Sequence, residues 1–168
     1  MGFTCRSCGR HHEEELRDVR AGLPEEIFRL SQAERASRAT GLDAGSDVAC
    51  LDGTRFFVRA VVRVPILGEG DSFGWGVWVR VEESLTGAIA AAWDDPSAGG
   101  QMFPGLLATD LTEYGGTLDL TGRLTMRTVD LLPDFELAEL RHPFALDQRH
   151  GIALDRAREL ADPYRSEL

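Results

Sequence analysis

Between Thr54 and Ile66 the side chains alternate without a break, and this run constrains the fold more than any other part of the 168-residue chain. Phe56, Val58, Ala60, Val62 and Val64 share one face with no polar member, while Arg55, Phe57, Arg59, Val61 and Arg63 share the other. A period of two is that of a strand, and an all-apolar face belongs against a core. Pro65 and the stretch from Leu67 to Ser72 break the ladder, after which Phe73, Trp75, Val77, Val79 and Val81 return in phase. The spacing predicts two central antiparallel strands, Thr54 to Ile66 and Phe73 to Val81, with Phe56, Val58, Val62 and Val64 inside. Trp75 and Trp78 then point to opposite faces. If the sheet is covered on one side, at most one of them is core and the other is a surface aromatic.

Helical signals flank these strands. Leu23-Pro24 followed by Glu25 and Glu26 reads as a short helical turn with acids at its positive end. Ser31 and Glu34 have capping-box spacing before the helix former Ala33 to Ala39, with Gly41 where a C-terminal cap belongs. Ser84 caps a further helix through Leu85, Ile89 and Trp93, ending at Asp94-Asp95-Pro96. Strands are expected at Gly105 to Ala108, Leu118 to Leu120, Leu124 to Val129 and Phe135 to Leu140. Pro143 to Ala161 reads as helix in two pieces hinged at Gly151. The order predicts an α+β protein, an antiparallel sheet with flanking helices and a short N-terminal zinc-knuckle-like segment. It is one domain over residues 1–168, with a metal knuckle at 1–15 and the α+β body at 16–168.

The knuckle reading comes from Cys5 and Cys8, whose two-residue spacing lets both thiolates face one metal, and from Gly9, which suits the tight turn. Zinc is the default ion, in a structural role. His12 is the third candidate ligand with His11 as its competitor, and Cys50, His142 or His150 is available as a fourth. Cys50 lies in a strand-like run, where a free Cys ordinarily behaves as a small buried hydrophobe. His142 precedes Pro143 and suits a local cap equally well.

The second candidate site is the Arg-bearing sheet face. Arg55, Arg59 and Arg63 share a phase, as do Arg123 and Arg127 on a later strand. Beside Phe57 and Trp78 such a face presents guanidinium groups to a carboxylate, a phosphate or an acidic protein segment. The plainer reading is a solvated face with cross-strand pairs to Glu82, Glu83 or Asp119. Arg59 stands apart, in the middle of the most apolar strand, and is expected to form a ligand-binding surface with Trp75 or Trp78.

Composition bounds the function. All 18 basic residues are Arg and the net charge is -10. Lys and Asn are both absent, which fits a GC-rich bacterial genome better than selection for guanidinium chemistry. An acidic chain is a poor phosphate-backbone binder, so no nucleic acid is expected as partner. No apolar run approaches the roughly 20 residues that span a bilayer. With no signal-peptide pattern at Met1 to Cys5, the expected compartment is the cytoplasm. The zinc-protease helix motif, the nucleophile elbow and the phosphate loop are missing from the sequence. The expected function is therefore a non-enzymatic binding or interaction module with a structural zinc site, its partner a protein or a small anionic ligand. The alternatives are a zinc-dependent hydrolase with Cys5, Cys8 and His12 around an open metal position, and an immunity or antitoxin-like protein that blocks a basic surface.

Phe3-Thr4-Cys5, Cys8-Gly9, His12, Phe56-Phe57-Val58-Arg59, Val64-Pro65-Ile66 and Phe73, Trp75-Gly76-Val77-Trp78-Val79 together resemble a bacterial family known only as a domain of unknown function. The resemblance continues through His142-Pro143-Phe144-Ala145 and Gln148-Arg149 with Gly151-Ile152. It implies a small bacterial protein with an N-terminal metal knuckle, and draws attention to Arg59, Trp75, Trp78 and His142 without giving any of them a role.

Overall fold

The protein is described by a computed structural model, which places residues 3–5, 11–12, 18–43, 45–128 and 131–166. In chain order the elements are β1 (Phe3–Cys5), β2 (His11–His12), β3 (Asp18–Arg20), α1 (Glu25–Phe28), α2 (Gln32–Arg38), β4 (Ala39–Thr40), β5 (Val48–Leu51), β6 (Arg55–Ile66) and β7 (Asp71–Val81). There follow α3 (Thr86–Asp94), β8 (Met102–Leu107), β9 (Thr121–Thr125), β10 (Asp134–Leu137), α4 (Pro143–His150), α5 (Leu154–Ala161) and β11 (Arg165–Ser166).

The two alternating runs pair as expected, antiparallel along their whole length from Phe56 opposite Val81 to Ile66 opposite Asp71. The remaining edge of each long strand is shared by two neighbours. β6 takes β5 antiparallel through residues 55–58 and β10 parallel at Val61. β7 takes β8 antiparallel at Val79 and Arg80, and β3 parallel through residues 74–76. With β9 between β8 and β10, the five strands β6 to β10 close on themselves as a barrel. This corrects the open antiparallel sheet expected from sequence. A ring of successive strands with an odd number of members cannot alternate direction throughout, so one pair must be parallel. Here it is β10 with β6, where the Val61 N–H donates to Pro133 O at 3.0 Å.

Val58, Ala60, Val62, Val64 and Ile66 are buried in the larger core, together with Phe73, Trp75, Val77 and Val79. Phe56 is only partly buried at its margin. Aromatic rings gather around Trp75, with Phe73 at 5.2 Å, Tyr114 at 6.0 Å, Tyr164 at 6.1 Å and Phe144 at 6.4 Å between ring centroids, all in edge contact. The Tyr114 hydroxyl donates to Asp147 and the Tyr164 hydroxyl to Glu113. Burial, followed by the neighbouring carboxylate, raises the pKa of both phenols, so they stay protonated through neutral pH.

The outer face of the hairpin is also covered. Phe57 and Trp78 are buried there with Ile27 of α1, Ala49, Leu51 and Ala108 as a second, smaller core. Trp75 and Trp78 are each 1% exposed, so both are interior, against the expectation that one would lie at the surface. The cover comes from α1, about fifty residues away in sequence from Trp78 and a single helical turn long.

At α2 Ser31 and Glu34 form the full capping box that their spacing predicts. Gly41 is not its cap. The helix ends at Arg38, and a Cβ at Gly41 would lie 2.1 Å from Val48 O, so the glycine serves a close approach to β5. Residues Leu118 to Leu120 form a turn rather than a strand, with Asp119 at φ 62°, and the strand begins at Thr121 and ends at Thr125. The C-terminal helix does divide at Gly151, and Ile152 is drawn onto Pro65 by a 2.8 Å backbone bond. His142 caps α4, its Nδ1 accepting from the Phe144 N–H at 3.2 Å, while Nε2 lies 2.9 Å from Gly116 O.

Candidate functional site

Arg59 stands directly opposite Trp78 in the β6–β7 ladder, and its guanidinium carbon lies 4.3 Å from the indole ring centroid. The side chain is almost completely buried. Nη1 donates to Ala21 O at 2.9 Å and Nη2 reaches Gly22 O at 3.4 Å. Nε lies 3.8 Å from an Asp47 carboxylate oxygen and has no hydrogen-bond acceptor. Burial lowers the guanidinium pKa to about 10, assisted by the charge of Arg20 and opposed by that of Asp47, so Arg59 is cationic at neutral pH. Its work is to grip two backbone carbonyls from beneath while lying on an indole face. Ala21 is fixed from the other side too, its N–H donating to Gly76 O at 2.8 Å.

A second segment is fixed to the same part of β7. The Trp78 N–H donates to Thr109 Oγ1 at 2.8 Å, and the Ala108 N–H donates to Trp78 O at 2.8 Å. Buried Thr117 donates its hydroxyl to Thr109 O at 2.7 Å and accepts from the Leu111 N–H at 2.9 Å. Thr109 and Thr117 thus satisfy one another and two backbone N–H groups inside the turn. Residues Thr109, Asp110 and Leu111 are held opposite the segment that Arg59 grips.

Between the two segments lies a cleft of about 420 Å³. Trp75, Tyr164, Phe28 and Leu111 give it apolar walls, with Val19, Ala21 and Leu23 along one side. Phe28 is 60% exposed, with the Arg35 guanidinium carbon 5.6 Å from its ring centre. The charged groups at the cleft are Glu25, Asp110 and Arg35. The Trp75 indole N–H is buried and is turned toward the Tyr114 hydroxyl. Of the three residues singled out for ligand binding, Trp75 lines this cleft, while Arg59 and Trp78 support one of its walls from behind.

The wider Arg face is divided up by carboxylates. Glu26 bridges Arg55 at 2.7 Å and Arg80 at 2.8 Å, and Arg80 also reaches Asp119 at 3.2 Å. Asp134 takes Arg63 at 3.0 Å and Arg127 at 3.6 Å, and Glu136 takes Arg123 at 3.3 Å. A second concavity of about 530 Å³ borders Arg55 and Arg80.

Of the proposed metal ligands, Cys8 lies outside the described residues. Cys5 and His12 are placed by their backbone alone, on β1 and β2, which pair antiparallel with Phe3 opposite His12. Cys50 is a half-buried free thiol on β5. Among the described residues no three His, Cys, Asp or Glu side chains come together as a metal site. No described helix is long and apolar enough to cross a membrane.

Sequence reasoning missed Asp110, Glu25, Phe28 and Tyr164. The one signal that pointed toward Asp110 is the turn-rich run from Thr109 to Gly116, since loops held on a rigid scaffold are where binding groups concentrate.

A family model described as an uncharacterised protein conserved in bacteria, DUF2199, matches residues 4–152. The chain belongs to this family. The match to DUF2199 spans both walls of the cleft, except Tyr164, and the segment from Cys5 to His12. No curated protein and no solved structure matches this DUF2199 member.

Proposed function

We propose that this DUF2199 protein is a non-enzymatic binding module whose ligand occupies the cleft between residues 19–28 and 109–111. The observation that carries this reading is the way both walls are fixed from within the fold, by Arg59 on Trp78 and by Thr109 with Thr117. A concave, largely apolar site with a few placed polar groups, already formed before the ligand arrives, is the usual form of a binding site. Holding the walls in advance also removes part of the ordering cost of association.

The test is a screen of small aromatic and amphipathic fragments by nuclear magnetic resonance, against the wild type and Gly22→Trp. Gly22 lines the cleft, and a Cβ there meets nothing within 4 Å, so an indole can fill the space without straining the backbone. Hits on the wild type are expected to weaken by at least about tenfold in the variant, a difference of roughly 1.4 kcal/mol, at unchanged melting temperature. Fragments that bind both proteins alike would place the site elsewhere.

A structural zinc ion held by Cys5, Cys8 and His12 forms part of the proposal, and the two-residue Cys spacing supports it. Elemental analysis of protein made with zinc supplied is expected to give about one ion per chain, lost when Cys5 and Cys8 are both changed to Ser. Zinc-free wild type, or zinc unchanged in the double variant, would remove it.

A further inference from the structure

Resting on that reading of the cleft, we infer that its ligand is an organic cation, an ammonium or guanidinium group carried on an aromatic body. The charges at the cleft decide the sign. Asp110 has no ionic partner among the described residues, and its carboxylate accepts only a long bond from the Thr117 N–H at 3.4 Å. Glu25 is brought close by its own N–H, which donates to Ala108 O at 2.8 Å, two positions before Asp110. Among the described residues the Glu25 carboxylate pairs with the exposed Arg29, at 2.9 Å. Arg35, the cation at the cleft, is already engaged at the end of α1. Its Nε donates to Ile27 O at 3.0 Å, its Nη2 donates to Phe28 O, and the guanidinium carbon lies 5.6 Å from the centre of the Phe28 ring. Of these three groups the Asp110 carboxylate is the one left with a single long hydrogen bond, and it is the charge the cleft leaves open to a ligand.

The walls agree with that sign. Tyr164 and Phe28 bring aromatic rings to the cleft, and the Phe28 ring already takes a cation, the Arg35 guanidinium, at 5.6 Å. A net charge of -10 also draws cations toward the protein before contact.

The experiment compares three molecules that share a phenyl ring and a carbonyl group and differ in charge: phenylalaninamide, phenylpropanamide and phenylpropanoate. Each is titrated calorimetrically into the full chain at low salt. Phenylalaninamide is expected to bind about tenfold more tightly than neutral phenylpropanamide, as a partly shielded ion pair plus a cation–π contact allow, and the anion should bind most weakly. Asp110→Asn keeps an oxygen for the Thr117 N–H. It is expected to bring the first two affinities within about twofold of each other, leaving that of phenylpropanamide unchanged. A tetrapeptide amide beginning with phenylalanine identifies the source. Affinity equal to that of phenylalaninamide assigns the cleft to a peptide N-terminus, and affinity at least about tenfold lower assigns it to a free small amine. If phenylpropanamide binds the wild type as tightly as phenylalaninamide, and Gly22→Trp abolishes both, the cation assignment is wrong and the cleft remains the binding site. If no probe binds, or Gly22→Trp changes nothing, both fail.

Discussion

Val62→Asp is expected to unfold the protein or bring it close to unfolding at room temperature. Val62 has no exposed surface, sits opposite Trp75 in the ladder and belongs to the larger core. A carboxylate there has neither water nor a cation, and among single substitutions such a burial belongs to the rare class that costs about 4–5 kcal/mol or more. Against the total of about 5–15 kcal/mol typical of a domain, the loss is a large share. Val48→Asp makes the same chemical change at a position 54% exposed and is expected to cost less than about 1 kcal/mol. Thermal unfolding followed by circular dichroism separates the two. A Val62→Asp protein melting within a few degrees of the wild type would mean that the apolar face of β6 does not line the core.

The second large effect is expected at Gly122, which pairs with Gly105 across β8 and β9. A Cβ at Gly122 would lie 2.4 Å from Glu136 O and 2.6 Å from Phe135 Cζ. The ring is fully buried and the carbonyl belongs to the neighbouring strand, so neither can withdraw far. Gly122→Ala is therefore expected to cost about 3 kcal/mol, at the upper end of overpacking effects, and to lower the melting temperature by about 6–12 °C. Gly87 in α3 provides the contrast, because a Cβ there meets nothing within 4 Å and alanine favours the helix by about 0.5–1 kcal/mol over glycine. A Gly122→Ala protein as stable as Gly87→Ala would show that β9 and β10 can part without cost.

What the sequence disclosed follows the range of the interactions. The β6–β7 hairpin was legible because its evidence is a period of two within each strand and a loop of a few residues between them. The α2 capping box was legible for the same reason, since Ser31 and Glu34 are three positions apart. Barrel closure was not, because it depends on Val61 meeting Asp134, 73 positions further along the chain. One of Trp75 and Trp78 was expected at the surface of a sheet covered on one side, and nothing in their strand announces that α1 lies over Trp78. Arg59 was noticeable as a charge in an apolar run, but its partners are the carbonyls of Ala21 and Gly22, and a carbonyl has no signature in sequence. The cleft was hidden for a similar reason, its walls coming from residues as far apart as Val19 and Tyr164.

The short outer strands limit the manner in which another chain can attach. Closing β6 to β10 into a ring removes the edges that those five strands would otherwise expose, and the eight-stranded sheet ends in β3, three residues long, and β4, two residues long. An edge of that length offers an incoming strand one or two main-chain hydrogen bonds, too few to hold it in register. Recognition by strand addition, which reads backbone and tolerates many sequences, is thereby disfavoured at these edges. A partner that meets this protein there must be selected by its side chains.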